Sequence, residues 1–168
     1  MITYRNAGPE DAATLDRIFD TTFCDTFAHL YRAEDLDAFL SSFGISDWEA
    51  QLLNDAYAFR IAEEDGEAAG YLKLGPMKLP VETDRPAILL DQLYVAKKHH
   101  GAGIARELMD WGFDEAQRRE AEEMYLTVYI DNHRAKRFYE RYGFVEVGQY
   151  DFMVGNQADH DIIMKKRL

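Results

Sequence analysis

A glycine-containing turn between an apolar segment and a helical segment is where the residue types and spacing of this sequence could do chemistry. Within residues 95–105, Gly101 and Gly103 stand two positions apart and follow the paired Lys97 and Lys98. A helix that begins directly after such a turn offers unpaired backbone N–H groups and a partial positive charge, which suit a phosphate. Glycine allows the backbone to approach a diphosphate closely, and the lysines add charge. The turn is a candidate diphosphate site, although a Gly-x-Gly pair alone is also typical of ordinary turns.

Two common nucleotide motifs do not fit this turn. It lacks the Gly-Lys-Ser/Thr ending of a nucleoside-triphosphate loop. No G-x-G-x-x-G follows an N-terminal strand, as a dinucleotide fold would require. A phosphate held here would therefore belong to a ligand of another class.

Hydrophobic periodicity predicts the elements that position the turn. Residues 87–95 are dense in apolar side chains, which is typical of a central strand, and residues 103–119 repeat apolar positions at helical spacing. The strand-like segments are residues 2–5, 57–62, 70–74, 87–95, 124–130, 144–153 and 160–166. The helical segments are one opened by Pro9, residues 33–40, one capped by Ser46, residues 103–119 and residues 132–142. Without repeats or convincing linkers, the chain is expected to form one α+β domain over residues 1–168.

Charge narrows the classes of partner. The 168 residues carry 31 acidic and 19 basic side chains, a formal net charge of −12. Nucleic acid is not expected as a partner, because phosphate backbones require clustered Lys and Arg. The acidic surface either favours a cationic substrate by electrostatic attraction or serves solubility alone.

Composition also bears on location and on metals. A run of about eighteen apolar residues is absent, as is a basic region followed by an apolar stretch, so neither a membrane span nor a signal peptide is expected. The single cysteine, Cys24, is expected in the core and fits a reducing cytoplasm. The five histidines show no H-x-x-x-H spacing and no C-x-x-C pair is present, so a metal site is not expected.

Two blocks of the sequence resemble the GNAT superfamily of N-acetyltransferases. Residues 100–105, His-Gly-Ala-Gly-Ile-Ala, are similar to the signature Q/R-x-x-G-x-G/A, with His100 in place of the usual Gln or Arg. Residues 132–144 resemble the block N-x-x-A-x-x-F-Y-x-x-x-G-F. The likeness extends over the whole chain in element order and is strongest between Leu90 and Phe144.

The resemblance implies a fold and a coenzyme. The fold would be a single GNAT-like domain with a mixed, mostly antiparallel central sheet flanked by helices on both faces. The co-substrate would be acetyl-CoA, with the pyrophosphate on the backbone of the turn and the pantetheine arm along Leu93 and Val95 like an added strand. The residues implied to contact the coenzyme are Leu93, Tyr94, Val95, Lys98, His100, Gly101, Ala102, Gly103, Ile104, Ala105, Asn132, Ala135 and Phe138.

The same likeness assigns catalytic roles. A phenol with a pKa near 10 keeps its proton at neutral pH, so Tyr139 could protonate a thiolate leaving group with a pKa of about 8.5. By helical spacing alone, Tyr139 also fits a core aromatic position. Asp91 is the first choice of base, acting directly or through water, or else it makes structural hydrogen bonds at a strand end.

The acceptor is expected to be a polyamine or another small cationic amine. The helical region after the first strand, loosely similar to bacterial spermidine/spermine-type acetyltransferases, carries acids that could hold a distant ammonium or form an ordinary solvated face. These acids are Asp20, Asp25, Glu34, Asp35 and Asp37. A protein or peptide N-acetyltransferase, a non-catalytic acetyl-CoA-binding module and a nucleotide-binding protein are the alternatives. Family likeness also suggests a homodimer.

Overall fold

A computed structural model describes all residues from Met1 to Leu168. The strands are β1 (Ile2–Asn6), β2 (Ala58–Glu64), β3 (Glu67–Pro76), β4 (Ala87–Val95), β5 (Glu123–Tyr129), β6 (Val145–Val154) and β7 (Gln157–Arg167). The helices are α1 (Ala12–Phe27), α2 (Ala33–Ser41), α3 (Ile45–Leu52), α4 (Ile104–Arg118) and α5 (His133–Arg141). Every strand and helix expected from periodicity is present, with boundaries that differ by a few residues.

The seven strands form one sheet in the order β1-β2-β3-β4-β5-β7-β6. All neighbouring pairs are antiparallel except β4 and β5, which run parallel. One apolar cluster joins the sheet to α4 and α5, and a second joins it to α1 and α3. The expected α+β architecture, a mixed and mostly antiparallel sheet with helices on both faces, is confirmed.

Two helix starts differ from the sequence prediction. The cap of α3 is Gly44, not Ser46, because the carboxylate of Asp47 accepts a hydrogen bond from the Gly44 N–H at 2.8 Å. Pro9 opens a short 3-10 turn over Pro9–Asp11, and α1 begins only at Ala12. In both cases the third residue of the turn is an aspartate whose carboxylate accepts a hydrogen bond from the N–H of the glycine before the turn. The type of the residue at the cap position does not reveal this contact.

The two parallel strands pair over only three residues. Ala87–Leu89 lies beside Glu123–Tyr125, and beyond these residues β4 and β5 have no partner on their facing edges. The sheet is therefore open at its centre. A ligand can enter between the strands there and find unpaired backbone groups along β4.

A buried carboxylate anchors the paired end of the two strands. Glu123 is 3% exposed and accepts hydrogen bonds from the Tyr125 hydroxyl at 2.7 Å and the Thr83 hydroxyl at 2.9 Å. The ammonium of Lys165 on β7 lies 3.0 Å from its other oxygen. The Tyr125 hydrogen bond, followed by those from Lys165 and Thr83, lowers the pKa of Glu123 to about 2. This network joins β5, β7 and the loop before β4 at the point where the strands begin to diverge.

Replacing Glu123 with Gln tests this anchor. We expect the free energy of unfolding at pH 7 to fall by about 1–3 kcal/mol, because charge-assisted hydrogen bonds to a buried group are lost. Since the folded-state pKa lies below the ordinary value, the carboxylate stabilises the fold above about pH 4.5, and this stabilisation disappears as the pH falls towards 2. Urea unfolding should therefore show a smaller difference in unfolding free energy between the wild type and Glu123→Gln at pH 3 than at pH 7.

The matched control is Glu122→Gln. Glu122 is the neighbouring residue, but its side chain is 50% exposed and pairs only with the exposed Arg85. A surface pair of this kind contributes little, so the control should change the unfolding free energy by less than about 0.5 kcal/mol. Equal effects of the two substitutions would contradict the anchoring role of Glu123.

Candidate functional site

A cavity of about 390 Å³ occupies the opening between β4 and β5. Its walls come from both diverging strands, from α5, from the start of β7 and from aromatic side chains of α1 to α3. The cavity therefore connects the side of the sheet that carries α4 and α5 with the side that carries α1 to α3. Two substrates could approach it from opposite faces and meet in the gap.

The glycine turn lies directly between β4 and α4. Gly101 and Gly103 have φ values of +85° and +82°, which residues other than glycine rarely adopt. Gly103 is the N-cap of α4. A Cβ at either glycine would have no atom within 4 Å, so the backbone is open to solvent here. The amides of Gly101 and Gly103, and those of Ile104 and Ala105 in the first turn of α4, donate to no protein acceptor. Only the Ala102 N–H is paired, with the carbonyl of His99 at 3.2 Å. The turn can bind an anion through its backbone, as expected.

The side chain of His100 is already engaged within the protein. Its Nε2 lies 2.9 Å from the carbonyl oxygen of Val95, and its Nδ1 lies 2.8 Å from Nη1 of Arg134. A guanidinium can only donate, so Nδ1 accepts and Nε2–H donates to the carbonyl. His100 therefore links the end of β4 to the first turn of α5. It holds Arg134, which forms no salt bridge, beside the glycine turn.

The other coenzyme residues predicted from the resemblance fall into two groups. Leu93, Tyr94, Asn132 and Ala135 line the cavity. Asn132 also has a structural role, because its side chain accepts a hydrogen bond from the Ala135 N–H at 3.3 Å and caps α5. Phe138 does not line the cavity, and the exposed Lys98 and the carbonyl of Val95 belong to the turn itself.

Tyr139 lies at the inner end of the cavity. The residue is only 8% exposed, its ring packs against Phe138 and Phe144, and it lines the opening between the strands. Its hydroxyl makes no hydrogen bond within the protein. Burial raises the pKa of Tyr139 above the ordinary value of 10, so the phenol stays protonated. The protonated hydroxyl is therefore free to meet a ligand that enters the cavity.

Asp91 stands at a bulge in β4 and forms two ion pairs. The β3–β4 register passes from Leu74 opposite Leu90 to Lys73 opposite Gln92, which leaves Asp91 as the extra residue. Its Oδ2 lies 3.0 Å from Nζ of Lys73, and its Oδ1 lies 3.3 Å from Nζ of Lys78. Both oxygens of this predicted base are therefore occupied by ammonium groups.

Lys73 is a buried cation that sequence reasoning missed. Its side chain is 4% exposed, and Nζ lies between 5.3 and 5.6 Å from the ring centroids of Phe43, Trp48 and Tyr57. Burial lowers the pKa of Lys73, while Asp91 opposes this shift. Removal of the Asp91 charge would leave the lysine unpaired in an aromatic environment, which is costly.

None of the five acids predicted to face the acceptor lines the cavity. Asp35, for example, pairs with Arg32 at 2.8 Å and accepts from the Asn156 N–H at 2.9 Å, so it fixes α2 to the β6–β7 turn. Asp25, Glu34 and Asp37 are exposed.

Two other acids, Asp159 and Asp161 on β7, do line the cavity. They are two positions apart and so share one face of the strand. The Tyr31 hydroxyl donates to Asp159, which is 7% exposed. Burial, followed by repulsion from Asp159, raises the pKa of Asp161 to about 7, and the Thr127 hydroxyl opposes this shift. Alternation along β7 was a signal in the sequence, but only the sheet order brings this face of β7 to the opening.

The structure contains no group of three or more His, Cys, Asp or Glu side chains arranged to hold a metal ion. None of its helices combines the length and apolar composition needed to cross a bilayer. Cys24 is a free thiol at an intermediate level of exposure.

Known proteins resemble this chain in both sequence and structure. The profile of the acetyltransferase (GNAT) family matches residues 18–144. An uncharacterized N-acetyltransferase of Mycobacterium tuberculosis is 30% identical over 167 residues, which is 95% of this chain and 96% of the relative. N-alpha-acetyltransferase 40 of Saccharomyces cerevisiae is 32% identical over 104 residues, 58% of this chain and 34% of that protein. The crystal structure of PaiA N-acetyltransferase from Thermoplasma acidophilum, in complex with coenzyme A, superposes with a TM-score of 0.80 at 19% identity and covers 100% and 99% of the two chains.

Substitution of Arg134 by Ala tests the contribution of the turn and its supported arginine. We expect the Kd for coenzyme A to rise about three- to tenfold, because one exposed charge-assisted hydrogen bond to a phosphate is lost. His100→Ala should weaken binding in the same direction by a smaller factor, since Arg134 remains but loses its support. Isothermal titration calorimetry at low and high salt would measure both effects.

Arg137→Ala is the matched control. Arg137 is an exposed arginine of the same helix that forms no ion pair. Arg137→Ala removes one positive charge, as Arg134→Ala does, and should leave the Kd for coenzyme A within about twofold of the wild-type value. An equal loss in both variants would indicate a general charge effect and would contradict a specific contact by Arg134.

Proposed function

The chain belongs to the acetyltransferase (GNAT) family, and on this premise we propose that it transfers an acetyl group from acetyl-CoA to a small cationic primary amine, with Tyr139 as general acid. The observation that carries the proposal is Tyr139, a buried residue on the wall of the cavity between β4 and β5 whose hydroxyl has no partner in the protein. The free amides of the glycine turn, which follows β4, can hold the coenzyme's diphosphate. The diphosphate of acetyl-CoA and its thioester, which Tyr139 would meet, therefore each have a matching site.

Acetyl-CoA supplies a thioester carbonyl that an amine nitrogen can attack. The protein must orient this carbonyl and protonate the departing sulfur. The open edge of β4 offers unpaired backbone groups to the pantetheine arm, and Leu93 and Tyr94 form the adjacent wall. Tyr139 holds its proton at neutral pH, because its pKa is raised by burial, and can deliver it to a thiolate. Asp91 remains the base predicted from the resemblance.

The acceptor end of the cavity supports an amine with apolar character. Aromatic side chains of α1 to α3 form much of this wall, among them Phe23, Phe27 and Phe39. The charged residues of the cavity are Lys73, Lys78, Asp91, Asp159 and Asp161. Since the two lysines pair with Asp91, only the β7 acids remain to receive a cation. A polyamine would place one ammonium there and its apolar carbons against the aromatic wall.

Peptide N-acetylation is the second candidate, because the yeast relative that matches 58% of this chain is named as an N-alpha-acetyltransferase. A free peptide N-terminus is also a primary amine and could use the same donor site. The aromatic end of the cavity would then have to receive an extended chain. A cytoplasmic location and a homodimer also remain predictions.

Tyr139→Phe tests the general acid. Loss of a positioned proton donor should lower kcat by about 10²-fold, because general acid catalysis typically contributes 10²–10⁴-fold. The Kd for coenzyme A should stay within about twofold, since the ring and its packing are kept. Thiol-release kinetics and calorimetry give the two values. Tyr142→Phe, three positions further on at the C-cap of α5 and outside the cavity, should leave both unchanged. Unaltered turnover in Tyr139→Phe would remove Tyr139 from the mechanism.

A thiol-release assay against a panel of amines tests the acceptor class. The panel contains spermidine, spermine, monoamines with an aromatic or alkyl body, short peptides with free N-termini and aminoglycosides. We expect turnover with small amines and a preference that weakens with added salt, because the β7 acids attract the ammonium electrostatically. Turnover confined to peptides would favour the second candidate. Tight coenzyme A binding without turnover on any amine would favour a non-catalytic binding module.

A further inference from the structure

We propose that Asp161 is the general base that receives a proton from the acceptor ammonium, and that Asp159, held by Tyr31, positions that ammonium beside it. This inference rests on the proposed acetyl transfer and specifies its acceptor end. It replaces Asp91 as the base. The geometry that carries it is one cavity with the β7 acids and the hydroxyl of Tyr139 both on its wall.

The ionic partners of Asp91 argue against its acting as the base. A base needs a lone pair directed at the substrate, and both oxygens of Asp91 face lysine ammonium groups at 3.0 and 3.3 Å. Protonation of Asp91 would leave Lys73, whose side chain is 4% exposed, without its counter-charge. The carboxylate therefore stabilises a buried cation, and this task requires it to stay ionised throughout.

Asp161 has the opposite environment. It forms no salt bridge, and no cation within the protein compensates it. The groups that face it come from every neighbouring element: Asp159 on its own strand, Tyr150 opposite it on β6, Thr127 and Tyr129 on β5, Tyr31 after α1 and Tyr94 on β4. None of these can carry a positive charge. Burial and the repulsion from Asp159 raise the pKa of Asp161 to about 7, close to the working pH of a general base. A cation that enters between the two acids would supply the missing charge.

Tyr139 gives independent support that a ligand reaches this place. The residue is 8% exposed, yet its hydroxyl has no partner in the protein and faces the same cavity. A largely buried tyrosine whose hydroxyl has no protein partner and opens onto a cavity is placed to meet a ligand there. A nucleophile that attacks a thioester beside Tyr139 must come from the acceptor side, where Asp159 and Asp161 are the uncompensated acids.

The proton transfers balance with the acyl transfer. The ammonium gives one proton to the Asp161 carboxylate, which later releases it to solvent. The neutral nitrogen then forms a bond to the acetyl carbon, and the carbon–sulfur bond breaks. Tyr139 protonates the sulfur, and the second nitrogen proton replaces the one that Tyr139 lost. The products are the acetamide, coenzyme A as its thiol and one solvent proton.

The pH dependence of kcat/KM for the amine in Asp161→Asn tests the proposal. For the wild-type protein, kcat/KM should rise through an inflection near pH 7, the pKa of Asp161 in the free enzyme. In Asp161→Asn this inflection should vanish and kcat/KM at pH 7.5 should fall about 10²-fold. The loss should shrink as the pH approaches about 10, where the amine arrives neutral and needs no base.

Three comparison variants make the result specific. Asp159→Asn should raise KM for the amine more than it lowers kcat, as expected of a positioning residue. Asp151→Asn removes an exposed acid of β6 that pairs only with His160 and should match the wild type. Asp91→Asn should lower the thermal midpoint, because Lys73 loses its ionic partner. Any activity that remains should keep the inflection of kcat/KM near pH 7.

Thermal stability gives a readout that does not depend on turnover. The pKa of Asp161 rises from 3.8 to about 7 on folding, so the folded protein binds this proton more tightly and ionisation destabilises the fold above pH 7. Asp161→Asn removes this cost and should raise Tm at pH 8 by at least about 2 °C. The gain should vanish near pH 4, where the wild-type group is protonated. A carboxylate with a structural task would give the opposite sign.

The outcomes separate the inference from the proposed function. Wild-type turnover with an unchanged profile in Asp161→Asn, or a lower Tm for that variant at pH 8, would overturn the role of Asp161 and keep the acetyltransferase. An equal loss of activity in Asp151→Asn would also overturn it, because the effect would then be one of net charge. Absence of wild-type turnover with every amine would overturn the proposed function and the inference together.

Discussion

The divergence of β4 and β5 is the constraint on which the rest of the structure depends. Two parallel strands that pair over only three residues leave backbone groups unpaired in the middle of a sheet, an arrangement that is costly unless a ligand or solvent satisfies them. The Glu123 network holds the paired end, and helices on both faces keep the open end apart. The same gap places Leu93 and Tyr94 of β4, the strand that leads into the glycine turn, and Tyr139, which follows β5, on the wall of one cavity. A fully paired sheet would have separated them.

Electrostatics divides this cavity into two parts with different tasks. At the bulge of β4, two lysines and Asp91 form a compensated cluster, enclosed by aromatic rings, that has the character of a structural ion pair. On β7, Asp159 and Asp161 lie together without a cation. Two nearby carboxylates of like charge disfavour joint ionisation, so one takes a raised pKa and becomes responsive near neutral pH. The part of the cavity that is least stable alone is therefore the part best suited to a cationic substrate.

The sequence carried the elements and the turn, because these depend on local patterns. Period-two and period-3.6 hydrophobicity places every strand and helix, and the glycines at 101 and 103 mark a positive-φ turn before a helix. Local sequence patterns do not predict contacts between distant segments. Lys73 and Lys78 beside Asp91, Arg134 on His100 and Tyr31 on Asp159 join residues from 13 to 128 positions apart. The resemblance predicted the acids of α1 and α2 on the acceptor side, whereas sheet order brings the acids of β7, in the last strand pair, to the cavity.

Local instability at the centre of the sheet has a common physical origin. An unpaired phenol, an uncompensated carboxylate and open backbone edges each cost free energy in the isolated protein, and all three occur around one opening. A chain selected only for stability would have filled this space with apolar side chains, as it has on the α4 side, where Leu108 and Met109 are fully buried. Each of these costs falls when a ligand occupies the opening, because a ligand can pair the phenol, compensate the carboxylate and satisfy the backbone edge. Tyr139 reaches the opening from α5, which follows β5, and Asp161 reaches it from β7 beside β5, so the sheet order sets both groups around one ligand space.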